Sequence, residues 1–192
     1  MNIKLNTKEV ILAALLCSLG IIIPMFSPIK IILEPASFTL ASHVDIFIAM
    51  FVSLKVAILV TIGTTIGFFI GGFPIVVVSR ALSHLLFVFV GCLLIKNRDN
   101  IKNIKSSLGE SFIIGIIHAI GEVLIIIPFY FNQSLSQAFY DKGFVQGVIL
   151  LVGVGTIVHS MLDFSLSLYI WNLLPKEFIN TVVTKQHKIQ KV

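Results

Sequence analysis

Six strongly apolar stretches, at about residues 9–27, 39–54, 56–71, 74–95, 110–131 and 144–174, take up most of this chain and leave only short connections between them. Roughly 20 apolar residues cross the hydrocarbon core of a bilayer. The pattern therefore predicts an all-α polytopic membrane protein, a bundle of six transmembrane helices forming one integral domain over residues 1–192. Only 12% of the residues are charged, against about 25% in soluble domains, and the mean hydropathy is +1.03. There is no room for a soluble catalytic domain. A disordered chain, a secreted disulfide scaffold and a nucleic-acid-binding domain are disfavoured. Ser53-Leu54-Lys55 alone separates the second and third stretches, so these two also read as one broken hairpin, with the second partly re-entrant.

The net charge of +5 matters less than where the charges lie. Basic residues concentrate in the cytoplasmic loops of membrane proteins. With the N-terminus inside, Lys4, Lys8, Lys55, the cluster from Lys96 to Lys105 and the C-terminal lysines all fall inside, and only Lys30 and Lys142 fall outside. Both termini are thus expected in the cytoplasm, with a cell-membrane location. The first apolar run follows two lysines as a signal peptide does, but lacks a small-x-small cleavage site and reads as retained. The outward connections are then Ser27 to Phe38, Gly71 to Pro74 and Phe131 to Gly143.

Ionisable groups inside an apolar span are costly and should face the bundle interior, a partner or a hydrated cavity. Arg80 with His84, His118 with Glu122, and His159 with Asp163 each stand at i and i+4, on one helix face. His43 and Asp45 lie near the outer end of the second span. This arrangement fits a polar cavity shared by the fourth, fifth and sixth spans, in their outer half. The alternative is that each pair is an interhelical hydrogen bond that only holds the bundle together. A buried guanidinium suits a carboxylate, supplied by a ligand or by Glu122. In the second case an uncharged heteroaromatic ligand suits the pocket equally well.

The Gly71-Gly72-Phe73-Pro74 turn lets backbone approach a ligand, although a tight hairpin needs the same residues. The segment from Pro28 to Phe38, with Glu34-Pro35, is amphipathic and reads as a lid or an interfacial loop. On the first helix Ala13, Ala14, Cys17, Ser18 and Gly20 form a small-residue face for close helix packing, within the chain or with a partner. Cys17 and Cys92 have no metal-ligand spacing, and no metal or cofactor is expected. No phosphate-binding loop, His-Glu-x-x-His or Gly-x-Ser-x-Gly motif is present, so the chain does not read as an enzyme.

Together the small-residue face on helix one, the Gly-Gly-Phe-Pro turn and the polar positions on helices four to six resemble the substrate-binding (S) components of energy-coupling factor vitamin transporters. The stretch from Pro35 to Met50 looks most like the niacin-type S components. The resemblance covers nearly the whole chain. It implies capture of a small vitamin from outside, and docking by the helix-one face, Ala13, Ala14, Cys17 and Ser18, onto a transmembrane coupling subunit driven by two ATPase subunits. Cys17 and Ser18 stand where that family typically has alanines. It also implies that Arg80 receives the vitamin carboxylate, that His84 and Glu122 hydrogen-bond ring or carboxylate atoms, and that Phe73, Phe129 or Tyr130 covers the ring. His118, His43 and Asp45 are further binding candidates, with His159 and Asp163 possible structural groups. The competing readings from the residues alone are a stand-alone proton- or ion-coupled carrier and an intramembrane assembly factor.

Overall fold

In the computed structural model residues 6–33, 36–95 and 104–183 are described, without the side chains of 30–33, 36, 37 and 104–106. Helix α1 runs Thr7–Phe26. Asn6 starts it with a capping box, accepting from the Glu9 amide at 2.9 Å while Glu9 accepts from the Asn6 amide at 2.9 Å. A two-stranded antiparallel hairpin follows, β1 Lys30–Leu33 and β2 Ala36–Thr39, with Ile31 opposite Phe38. The expected lid segment is therefore a β-hairpin, an addition to the all-α expectation; Glu34 and Pro35 lie outside the described residues.

Helix α2, Val44–Val52, is much shorter than the expected 39–54 span. Nine residues rise about 13 Å, less than half of a bilayer core. Every residue of α2 except Ile48 is buried, the pattern of a helix apolar all round and enclosed by others. It packs against α1, α3 (Leu54–Ile70), α4 (Ile75–Leu94) and α7 (Gly155–Leu173). Its end and the start of α3, Leu54–Ile70, meet at Ser53. That residue adopts an extended backbone and its hydroxyl accepts from the Val56 amide at 3.2 Å, which breaks one helix and caps the next.

The α3–α4 turn is a Schellman motif. Phe73 donates its amide to the Phe68 carbonyl at 3.1 Å, and Gly72, at φ +74°, donates to Phe69 at 3.2 Å. Pro74 then opens α4, Ile75–Leu94. Helix α5 covers Ile104–Phe131, beginning six residues before the expected 110. The outer connection holds a short helix α6, Gln137–Phe144, broken at Gly143 with φ +73° and ψ 167°, a region open essentially to glycine alone. A π-wound stretch, Val145–Val154, leads into α7, Gly155–Leu173, and α8 follows at Lys176–Val183.

Among the described residues, four helical stretches are long and apolar enough to cross a membrane: Thr7–Phe26, Ile75–Leu94, Ser107–Phe131 and Gln137–Leu173. Helix α3, at 17 residues, is a shorter apolar helix. The main core gathers Phe47, Phe51, Phe87, Phe164 and Trp171 around α2. Large apolar side chains such as Leu15, Phe69, Leu124 and Leu162 cover the outward faces, a surface suited to lipid rather than water.

The small-residue face of α1 divides. Ala13 and Gly20 are buried, and the Cys17 thiol reaches the Val60 carbonyl of α3 at 3.6 Å. Ala14 and Ser18 are exposed on the other side. Ala13 and Cys17 thus pack toward the rest of the chain, and Ala14 and Ser18 are the members of this face left exposed.

Replacing Gly143 by Ala forces a side chain into a backbone region it resists, at about 1–3 kcal/mol. The expected outcome is a lower midpoint of thermal unfolding in detergent for Gly143→Ala, with no such drop for Gly109→Ala, where an added Cβ meets nothing within 4 Å.

Candidate functional site

Four histidines from four different elements converge inside the bundle. His43 sits at the N-terminus of α2, His84 on α4, His118 on α5 and His159 on α7. The His43 ring centroid lies 4.8 Å from His84, 4.8 Å from His118 and 5.1 Å from His159, each edge-on. His84 and His118 are 4.7 Å apart.

Two carboxylates organise this cluster. Glu122, 2% exposed, accepts from Arg80 Nε and from His84 Nε2, the latter at 3.2 Å. Arg80 and His84 reach it together because an i, i+4 pair on α4 faces the matching stripe of α5. His118 Nε2 stands 3.6 Å from Glu122 Oε1, beyond hydrogen-bond reach. Neither ring nitrogen of His118 has a hydrogen-bond partner among the described residues.

Asp163, fully buried, serves the other side. One oxygen accepts from the Ala41 amide at 2.8 Å; the other accepts from the His43 amide at 3.0 Å and from His43 Nδ1 at 3.0 Å. It caps the start of α2, where the helix dipole favours a negative group, and it holds Ala41 at φ +69°. A left-handed alanine costs about 1–2 kcal/mol, so the turn into α2 depends on this carboxylate. His159 is hydrogen-bonded to Ser42 Oγ at 3.0 Å.

The four histidines line a cavity of about 190 Å³. Its polar wall includes Asp45, Arg80, His84, Glu122 and Thr156, and Phe38, Phe68 and Phe73 supply aromatic wall. Phe38 enters from β2 and fits against Gly155, where an added Cβ would come within 2.7 Å of its ring. Phe68 and Phe73, the apolar pair of the Schellman turn, stack with centroids 4.7 Å apart. Asp45 is 2% exposed with neither oxygen partnered among the described residues. Gly20 of α1 leaves it room, since a Cβ there would collide with the carboxylate.

The structure thus brings Arg80, His84, Glu122, His118, Phe73, His43 and Asp45 to one cavity. It does not bring Tyr130 there. That ring belongs to an outer aromatic group with Phe139, Tyr140 and Phe144, at 5.7, 5.1 and 5.3 Å, and Phe129 is likewise not on the cavity wall. Phe38, Thr39, Ser42, Thr64, Phe68 and Thr156 line the cavity without having been singled out from sequence. His159, read as a possible structural group, lines it too.

Asp163→Ala removes the acceptor from the Ala41 and His43 amides and from the His43 ring. Breaking a buried charged network of this kind costs about 3–5 kcal/mol. The expected result is a large drop in thermal midpoint or loss of monodisperse protein on gel filtration, and Asp163→Asn, which keeps one oxygen, should lose less.

No protein-family model matches the chain, and no solved structure does. Over 177 residues, which are 91% of this chain and 78% of the relative, it is 41% identical to niacin transporter NiaX of Lactococcus lactis subsp. cremoris (strain MG1363).

Proposed function

The chain belongs to the family of niacin transporter NiaX, membrane transport proteins rather than enzymes, and from that premise we propose that its cavity captures nicotinate as the substrate-binding component of an energy-coupling factor importer. The observation that carries this reading is Arg80 on the cavity wall, fixed by Glu122. A guanidinium has five N–H donors in a planar fork. With Nε turned to Glu122, its terminal N–H groups meet a carboxylate in the cavity. His84, itself on the cavity wall, holds Glu122 in turn and so helps to position Arg80.

The volume agrees with a single small ring. At about 190 Å³ it is below the roughly 300–1,000 Å³ of pockets for drug-sized ligands. Phe38, Phe68 and Phe73 flank the aromatic face. The hairpin that delivers Phe38 is the lid, and the outer half of the bundle is the entrance. The distribution of Lys and Arg supports a cell-membrane orientation with both termini cytoplasmic.

Coupling to transport uses the outward stripe of α1. Ala14 and Ser18 are exposed there, and Ser18 bonds back to the Ala14 carbonyl at 2.9 Å, which leaves a smooth surface for a transmembrane coupling subunit. Two ATPase subunits drive that assembly.

Calorimetric titration of purified protein with nicotinate tests the capture step. Saturable binding is expected, weakened about 100-fold or more in Arg80→Ala, the equivalent of two charge-assisted hydrogen bonds; identical affinity in the two proteins rejects the assignment of Arg80. For the coupling step, Ala14→Trp should leave nicotinate affinity unchanged and abolish ATP-dependent uptake by the reconstituted complex. Uptake driven by a pH gradient in vesicles without ATPases indicates a stand-alone carrier instead.

A further inference from the structure

We propose that His43, His84 and His118 form a binding site for a divalent transition-metal ion, zinc being the reference case, with a remaining coordination position open to the cavity. This goes beyond the capture of nicotinate and rests on different observations. One ring nitrogen from each of the three lies within 4.8 Å of the others. The three ring centroids lie 4.7–4.8 Å apart pairwise, close enough for one ion to be shared among them. Nitrogen ligands stand about 2.0–2.1 Å from zinc, and small ring tilts on three helices close the set.

The His118 ring gives the second observation. It is 2% exposed and both its nitrogens lack a hydrogen-bond partner among the described residues. An unsatisfied buried polar group costs about 1–3 kcal/mol, and a metal ion at the cage satisfies it.

The surrounding carboxylates form the support that metal-bound imidazoles require. Ligating histidines commonly donate their other ring N–H to a carboxylate, which fixes tautomer and orientation. His43 Nδ1 donates to Asp163, itself anchored by the Ala41 and His43 amides. His84 Nε2 donates to Glu122. Each ring keeps its second nitrogen for a ligand bond.

Charge points the same way. The cavity wall holds two carboxyl groups, Asp45 and Glu122, against the single guanidinium of Arg80, and a third, Asp163, is bonded to His43 behind it, a carboxyl-rich setting that suits a cation. His43, His159 and Asp163 also lie close together, but the oxygens of Asp163 are already occupied by the α2 cap, which makes it a supporting group rather than a ligand. An all-imidazole set favours zinc, cobalt, nickel or copper over magnesium and calcium, which prefer oxygen.

The test uses the purified full-length chain, stripped with a chelator and titrated with Co²⁺ alone. A saturable visible d–d absorption is expected, with one ion per chain, displaced by Zn²⁺. His118→Gln, which retains a polar side chain in the same space, should weaken Co²⁺ binding at least tenfold, and Asp163→Asn by about 10–100-fold through the orientation of His43. X-ray absorption of the loaded parent protein should show imidazole scattering, which keeps the test decisive if a variant does not fold. An absence of saturable cobalt absorption, an oxygen-only ligand shell, or equal affinity in folded His118→Gln overturns the proposal. Nicotinate titration of the stripped protein is read separately, so failure of the metal site and failure of the nicotinate reading are distinguishable.

Discussion

The pairing of Arg80 with Glu122 is the constraint around which the polar interior is arranged. A guanidinium and a carboxylate in an apolar bundle each carry a desolvation penalty of several kcal/mol, and only mutual contact with further hydrogen bonds offsets it. Helices α4 and α5 must therefore present these two residues to each other. Once they do, the i, i+4 partners His84 and His118 are carried to the same level of the bundle. The ion pair is local in chemistry, but through helical geometry it sets the rotation of two helices and the position of two imidazoles.

Helix α2 presents the complementary problem. Its first turn begins inside the bundle, where unpaired amides have no water to turn to. Asp163 supplies the acceptor from α7, and the hairpin then fits as the connection between the end of α1 and a helix that starts below the surface. The cost of a left-handed Ala41 is offset by these bonds. A full-length second helix would fill the space now occupied by the cavity. The shortness of α2 and the existence of the pocket thus have one cause, and His43 marks the place where they meet.

Much of this was legible before the structure, because helical spacing is a strong local rule. Arg80 with His84, His118 with Glu122 and His159 with Asp163 each had to share a face, and each pair does. Spacing fixes which residues share a stripe, however, and not which stripes face one another. His43 is separated from His159 by more than a hundred residues, so their meeting depends on packing that no local pattern encodes. The same limit explains Tyr130: its depth in α5 suited a ring contact, but its direction takes it into the outer aromatic group. Hydropathy likewise could not separate α2 from a full span, because an enclosed core helix and a lipid-facing one are equally apolar. The single residue Ser53, serving as end of one helix and cap of the next, carries that distinction. On α1 the run of small residues was readable, yet its division into an inward stripe and an outward stripe follows only from where α2 and α3 lie.

That division has a mechanical consequence under the proposed function. Helix α1 places Gly20 against Asp45 at the cavity wall and Pro24 on its rim, while Ala14 and Ser18 face away from the bundle. A rigid helix transmits displacement along and about its axis, so a subunit seated on the outer stripe acts on the residues that border the cargo. Gly20 leaves almost no slack, since even one added carbon would strike the Asp45 carboxylate. A small rotation of α1 therefore requires Asp45 to move or the cavity to change shape, which links docking at one face of the helix to the holding of a ligand at the other without any chain of intermediate residues.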